Sequence, residues 1–179
     1  TTTTSYSSLI LGILLLLINL HYLPIQNFEK IRKGGYFYID KTALVYQLVK
    51  TGSYYFLSRP RRFGKSLLVS TLEAYFLGKK ELFHGLVMER LEQDWTVYPV
   101  LHIDFSLTKY TELSDLTGQL NLFLYRWENI YGSNEAETTT AERLQGIILR
   151  ANEQTGKQVV VLVDEYDAPL LDSNSDTLL

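Results

Sequence analysis

The sequence predicts an α/β fold built on a mainly parallel sheet, and three observations point there. Val159-Val160-Val161-Leu162-Val163 is an unbroken β-branched apolar run, the pattern of a strand buried on both faces of a parallel sheet. Pro99 opens a second apolar run, Val100 to Phe105. Between and around these runs, apolar residues recur at three- and four-residue steps. Strands therefore alternate with helices, and the crossovers should be right-handed. With 179 residues the chain can bury one core of its own.

Thr1 to Ser8 is rich in Thr and Ser, and Leu9 to Leu20 is apolar all round. This run is shorter than the ~20 residues of a membrane helix. No basic segment precedes it and no small-residue cleavage site follows it. It reads as a short anchor, a buried helix, or sequence foreign to the domain. The abrupt change of composition at Leu23-Pro24 favours the third reading: a hydrophobic segment, 1–22, outside a domain spanning 23–179.

Asn27 to Lys33 reads as a short helical turn stopped by Gly34-Gly35, and Tyr36 to Ile39 as a short strand. Asp40 is placed to N-cap a helix from Lys41 to Lys50, with Leu44, Val45, Leu48 and Val49 on one face and Gly52 at its end. Tyr54-Tyr55-Phe56-Leu57 reads as a strand. The next helix, Leu67 to Leu77, has Leu67, Leu68, Leu72, Tyr75 and Phe76 as its buried stripe. Glu81 to Asp94 is mixed, with one short helix. In the long helix Glu112 to Tyr131, the stripe Leu113, Leu116, Leu120, Phe123, Leu124, Trp127, Ile130 is core packing. Thr139 with Glu142 forms a capping box for a last helix. Leu144, Ile147, Ile148 and Ala151 line its inner face, and Gly156 ends it.

A net charge of −3 supplies no overall basic field, so a nucleic-acid-binding surface is not indicated. The positive charge is local. Arg59, Arg61, Arg62 and Lys65 crowd one loop with no acid among them. The absence of cysteine excludes a disulfide framework and a thiolate metal site. His21, His84 and His102 show no ligand spacing, and His102, inside a strand, reads as a core residue.

That basic loop carries the chemistry. Ser58-Arg59-Pro60-Arg61-Arg62-Phe63-Gly64-Lys65-Ser66 lies between the run Tyr54 to Leu57 and a helix, so Gly-Lys-Ser falls at the helix mouth. The first N–H groups of a helix lack intrahelical partners and its dipole is positive there, so an anion is both hydrogen-bonded and charge-matched. In a phosphate loop, Gly64 lets the backbone approach, Lys65 reaches the β- and γ-phosphates, and the Ser66 hydroxyl ligates Mg²⁺. The first glycine of that pattern falls on Arg59, and Pro60 has no N–H to give. Alone, the loop fits a solvated basic turn equally well. Far downstream, the run Val159 to Val163 ends in Asp164-Glu165-Tyr166-Asp167, a Walker B pattern at the strand end where α/β sheets bind ligands. Asp164 would hold Mg²⁺ and Glu165 would orient the attacking water. A strand ending in a polar turn is the plain alternative, but the two motifs in this order are more specific than either alone. Asp104, at the end of the other sheet strand, reads as a second carboxylate near Mg²⁺ or as a strand-end turn residue.

These segments resemble the bacterial AAA-ATPase-like domain proteins. The resemblance rests on Leu23-Pro24-Ile25, Phe28-Glu29-Lys30-Ile31-Arg32, Tyr38-Ile39-Asp40-Lys41-Thr42, the Tyr55 to Ser66 stretch and Val163-Asp164-Glu165-Tyr166-Asp167, and it covers about Leu23 to Leu171. Arg59 in place of the first glycine is usual for that family. The resemblance implies a three-layer sandwich of P-loop NTPase type, ATP and Mg²⁺ as ligands, and a cytoplasmic protein. Pro60, Arg61, Arg62, Phe63, Gly64, Lys65 and Ser66 would cradle the nucleotide, and Ser66 and Asp164 would hold the metal. Glu165 and Lys65 would serve catalysis. Family members often carry a PD-(D/E)XK nuclease-like region, the sole basis for a nucleic-acid partner. A homo-oligomer stays open. P-loop ATPases of this class seat the strand after Walker B between the two motif strands. The resemblance puts that strand beyond Leu179, so the chain reads as incomplete at its C-terminus, with weak or no turnover expected. ATP hydrolysis leads, a nucleotide-binding module without turnover comes second, and a membrane-tethered interaction protein ranks last.

Overall fold

The computed structural model describes residues 25–58 and 63–173. The hydrophobic segment 1–22, and Arg59, Pro60, Arg61 and Arg62 of the basic loop, lie outside the described residues.

The chain opens with α1 (Phe28–Lys33), whose N-cap Asn27 accepts the N–H of Lys30. Next come α2 (Thr42–Thr51) and α3 (Lys65–Phe76). A 3-10 turn (Lys80–Phe83) and α4 (Val87–Leu91) follow. The second half runs β1 (Val100–Asp104), a 3-10 turn (Phe105–Leu107), α5 (Leu113–Tyr131), α6 (Thr140–Thr155), β2 (Val160–Asp164) and α7 (Ala168–Ser173). Both α5 and α6 start with complete capping boxes, Glu112 with Asp115 and Thr139 with Glu142. Asp40 sits one residue before the N-cap of α2. Its carboxylate accepts the N–H and hydroxyl of Thr42 with one oxygen and the N–H of Val87 with the other, so it fastens α2 to α4.

Two cores result. Phe28, Val45, Ala74, Tyr75, Phe83 and Met88 close the helical half. Leu101, Ile103, Phe123, Leu124, Trp127 and Ile147 close the second, where β1 is covered by α5 and α6. The strands β1 and β2 pair in parallel, from Val100 opposite Val160 to Asp104 opposite Asp164. Leu101 and Ile103 face α5 and α6, while His102 points the other way and pairs with Glu73 of α3 at 3.2 Å. Helices therefore lie on both faces of the sheet, and α3 packs on β2 as well as β1.

Several expectations need correction. Tyr36 to Ile39 and Tyr54 to Leu57 form no strand and pair with none among the described residues. Their apolar runs satisfy strand propensity, yet no neighbouring strand lies alongside to take their N–H and C=O groups. The Tyr55 hydroxyl instead ties the second run to the Leu48 carbonyl (2.7 Å). The Val160–Asp164 strand is not covered on both faces. Val161 and Val163, the register partners of Leu101 and Ile103, remain 42% exposed because α5 and α6 sit over β1. On α3 the deepest positions are Ser70, Thr71 and Ala74 beside Tyr75, and the leucines flank them. Small side chains let α1 approach the helix closely. Leu113 and Ile130, at the ends of α5, are exposed beyond the edges of its packing face.

Candidate functional site

Gly64 takes φ +77°, the left-handed region where glycine carries no Cβ penalty, and turns the chain into α3. Its carbonyl accepts the N–H of Leu68 (3.0 Å). No side chain caps this helix, unlike α1 and α6, whose Asn27 and Thr139 accept a first-turn N–H. Among the described residues no N-cap side chain takes the first N–H groups of α3, so they can serve an outside acceptor.

At the carboxyl end of β2, Glu165 follows with φ +50°. For a residue with a Cβ, this conformation costs about 1–2 kcal/mol and has to be held by its surroundings. The brace is local. Asp164, 7% exposed, accepts the N–H of Glu165 with its carboxylate (2.9 Å), and the Glu165 carbonyl accepts the N–H of Ala168 (2.9 Å) at the start of α7.

These two ends meet. Gly64, Lys65, Ser66 and Leu67 line one cavity together with Glu165, and Ile25 and Gln26 complete it. Its volume is about 200 Å³. The Lys65 ammonium stands 5.8 Å from the centre of the Tyr166 ring, and that ring packs on Phe56 at 5.2 Å. The chain thus brings together Gly64, Lys65, Ser66 and Glu165, four of the residues picked out from sequence. Phe63 is exposed and does not line the cavity. Asp164 lies buried directly behind Glu165 and outside the lining. Asp104 turns out to be a strand-end residue, its carboxylate accepting the N–H of Ser106 (2.8 Å). His102 is half-buried, and the hydrogen bond and charge of Glu73 raise its pKa against the opposing effect of burial. Sequence reasoning did not single out Ile25, Gln26 or Tyr166 for the site, although Ile25 and Tyr166 sit in the motifs that carry the family resemblance. Among the described residues no group of three or more His, Asp or Glu is placed to hold a metal ion, and no helix is long and apolar enough to cross a membrane.

The Predicted AAA-ATPase family, AAA-ATPase-like, matches residues 23–179. The chain belongs to this family. A relative in Azotobacter chroococcum mcd 1, described as an uncharacterized protein in the vnfD 5′ region, is 43% identical over 151 residues. That match takes in 83% of the chain but only 29% of the relative, so the chain spans less than a third of that protein's length. No solved structure matches.

Proposed function

We propose that the cavity between α3 and the turn after β2 binds ATP with Mg²⁺, and that the domain serves ATP hydrolysis within a longer protein. One observation carries this reading: Lys65, Ser66 and Glu165, far apart in sequence, line the same cavity. Family membership and the helices on both faces of a parallel sheet support a three-layer P-loop arrangement. The uncapped N–H groups of α3 and the Lys65 ammonium offer donors and positive charge to the phosphates.

Ser66, on the cavity wall, and Asp164, outside the lining and so acting through water, would offer Mg²⁺ hard oxygen donors. Mg²⁺ commonly takes one or two protein ligands besides phosphate and water, so this pair fits it without a larger acidic cluster. Bound there, Mg²⁺ would neutralise charge on the β- and γ-phosphate oxygens. Glu165 accepts a proton from, and orients, the water that attacks the γ-phosphorus. Lys65 stabilises charge on the transferring oxygens. Its contact with the Tyr166 ring, the residue after Glu165, would give way to the phosphates on binding. Pro60, Arg61 and Arg62 stand two to four residues before Gly64 and are assigned to the same phosphate cradle. This mechanism calls on neither a nucleic-acid partner nor self-association.

Binding of radiolabelled ATP tests the reading. Lys65→Ala should weaken binding and lower any turnover roughly a hundredfold, the ~3 kcal/mol expected for one such charge contact in the transition state. Glu165→Gln should bind as tightly as the parent and hydrolyse nothing. Normal hydrolysis by Glu165→Gln would remove the base assignment. Binding without turnover by the parent would leave a nucleotide-binding module.

A further inference from the structure

Ser70 sits one helical turn after Ser66 on α3 and is 9% exposed. A serine inside a helix usually satisfies its hydroxyl on its own helix, and Ser70 does donate to the Leu67 carbonyl (3.0 Å). It also reaches outside the helix. Its oxygen accepts the N–H of Phe28 (2.9 Å), and its proton is shared with the Gln26 carbonyl (3.3 Å). Phe28 itself is fully buried against Phe83 and Tyr38, and Asn27 caps α1. The chain just before α1 is therefore fixed to the helix that carries Lys65 and Ser66. This is what puts Ile25 and Gln26 in the cavity wall.

The chemistry of that wall differs from the rest of the lining. Lys65, Ser66 and Glu165 are charged or hydroxylic, with Gly64 and Leu67 beside them at the helix mouth. Ile25 and Gln26 carry no charge, so they suit neither a phosphate nor a metal ion. A half-buried aliphatic side chain beside an exposed amide suits a flat heterocycle with polar edges or a sugar. Resting on the nucleotide reading above, we propose that Ile25 and Gln26 contact the nucleoside half of the ligand and that Ser70 is the positioning residue that holds them there. The phosphate half is held separately, at the mouth of α3.

The test compares two probes on the full chain, ATP and inorganic tripolyphosphate, by equilibrium binding. The parent should bind ATP more tightly than tripolyphosphate. Ser70→Ala and Gln26→Ala should each lower ATP affinity about tenfold, the scale of one or two lost polar contacts. Tripolyphosphate affinity should stay within about twofold. A serine with a purely structural role would lower both affinities together. Gln26 is exposed, so its variant carries the test if Ser70→Ala does not fold. Unchanged ATP affinity in Gln26→Ala, or equal losses for both probes, overturns the inference. Tripolyphosphate binding as tight as ATP in the parent overturns it and leaves the phosphate site standing. Failure of the parent to bind either probe overturns the nucleotide reading, and the inference with it.

Discussion

The helix that presents Lys65 and Ser66 is fastened along its length, whereas the turn that presents Glu165 hangs from a strand with one open face. Ser70 holds the 26–28 segment, Glu73 pairs with His102, and the Tyr75 hydroxyl donates to the buried carboxylate of Glu92. On the other wall, β2 pairs only with β1 among the described residues, Val161 and Val163 are exposed, and Glu165 sits in a left-handed conformation. The difference separates two tasks. The wall assigned to the phosphates is preset by packing. The wall assigned to the attacking water holds backbone strain, braced by its own neighbours.

Paired substitutions give the largest expected effect. Phe28→Ala, behind α3, should cost about 3–5 kcal/mol in chemical denaturation, and Val163→Ala on the open face of β2 less than about 1 kcal/mol. Equal costs would break the comparison.

The next concerns Glu92. Burial pushes its carboxyl up, but the Tyr75 hydroxyl, the Lys50 ammonium and the Asp94 N–H outweigh burial and hold the pKa down at about 2. Its folded-state pKa lies below the unfolded value, so its contribution is complete above about 4.5 and is lost as pH falls toward 2. Glu92→Ala should destabilise the chain by about 2–3 kcal/mol at neutral pH and flatten the acid limb of its stability profile. An unchanged acid limb would show that α3 is held by packing alone.

The smallest effect is expected on the strained wall. Glu165→Gly removes the Cβ from a positive-φ position and should change stability by no more than about 1 kcal/mol, toward greater stability, while hydrolysis is lost. A large destabilisation would mean that the Glu165 side chain supports the fold.

Much of the fold was legible in the sequence, because the devices that set it are local. The capping box at Thr139 and the glycine at the end of α6 act over three or four residues, and their pattern can be read directly. What sequence could not supply was partnership. Tyr54 to Leu57 has the composition of a strand, but a strand needs a neighbour, and none lies beside it here. The same limit affected the expected burial of β2, since apolar character cannot say which helix covers which strand. In the site, Lys65, Ser66 and Glu165 were legible because their chemistry is bound to a motif. Gln26 and Ser70 were not, because the role proposed for them rests on a hydrogen bond between segments that are distant in sequence.

The most direct measurement is an NMR titration of the full chain with Mg²⁺-ATP that follows the amides of Lys65 and Ser66 together with those of Glu165 and Tyr166. One triphosphate held between the two walls predicts that all four shift along one saturation curve and that Lys65→Ala abolishes the response. Shifts confined to the α3 side, or two walls saturating at different ligand concentrations, would contradict a shared site.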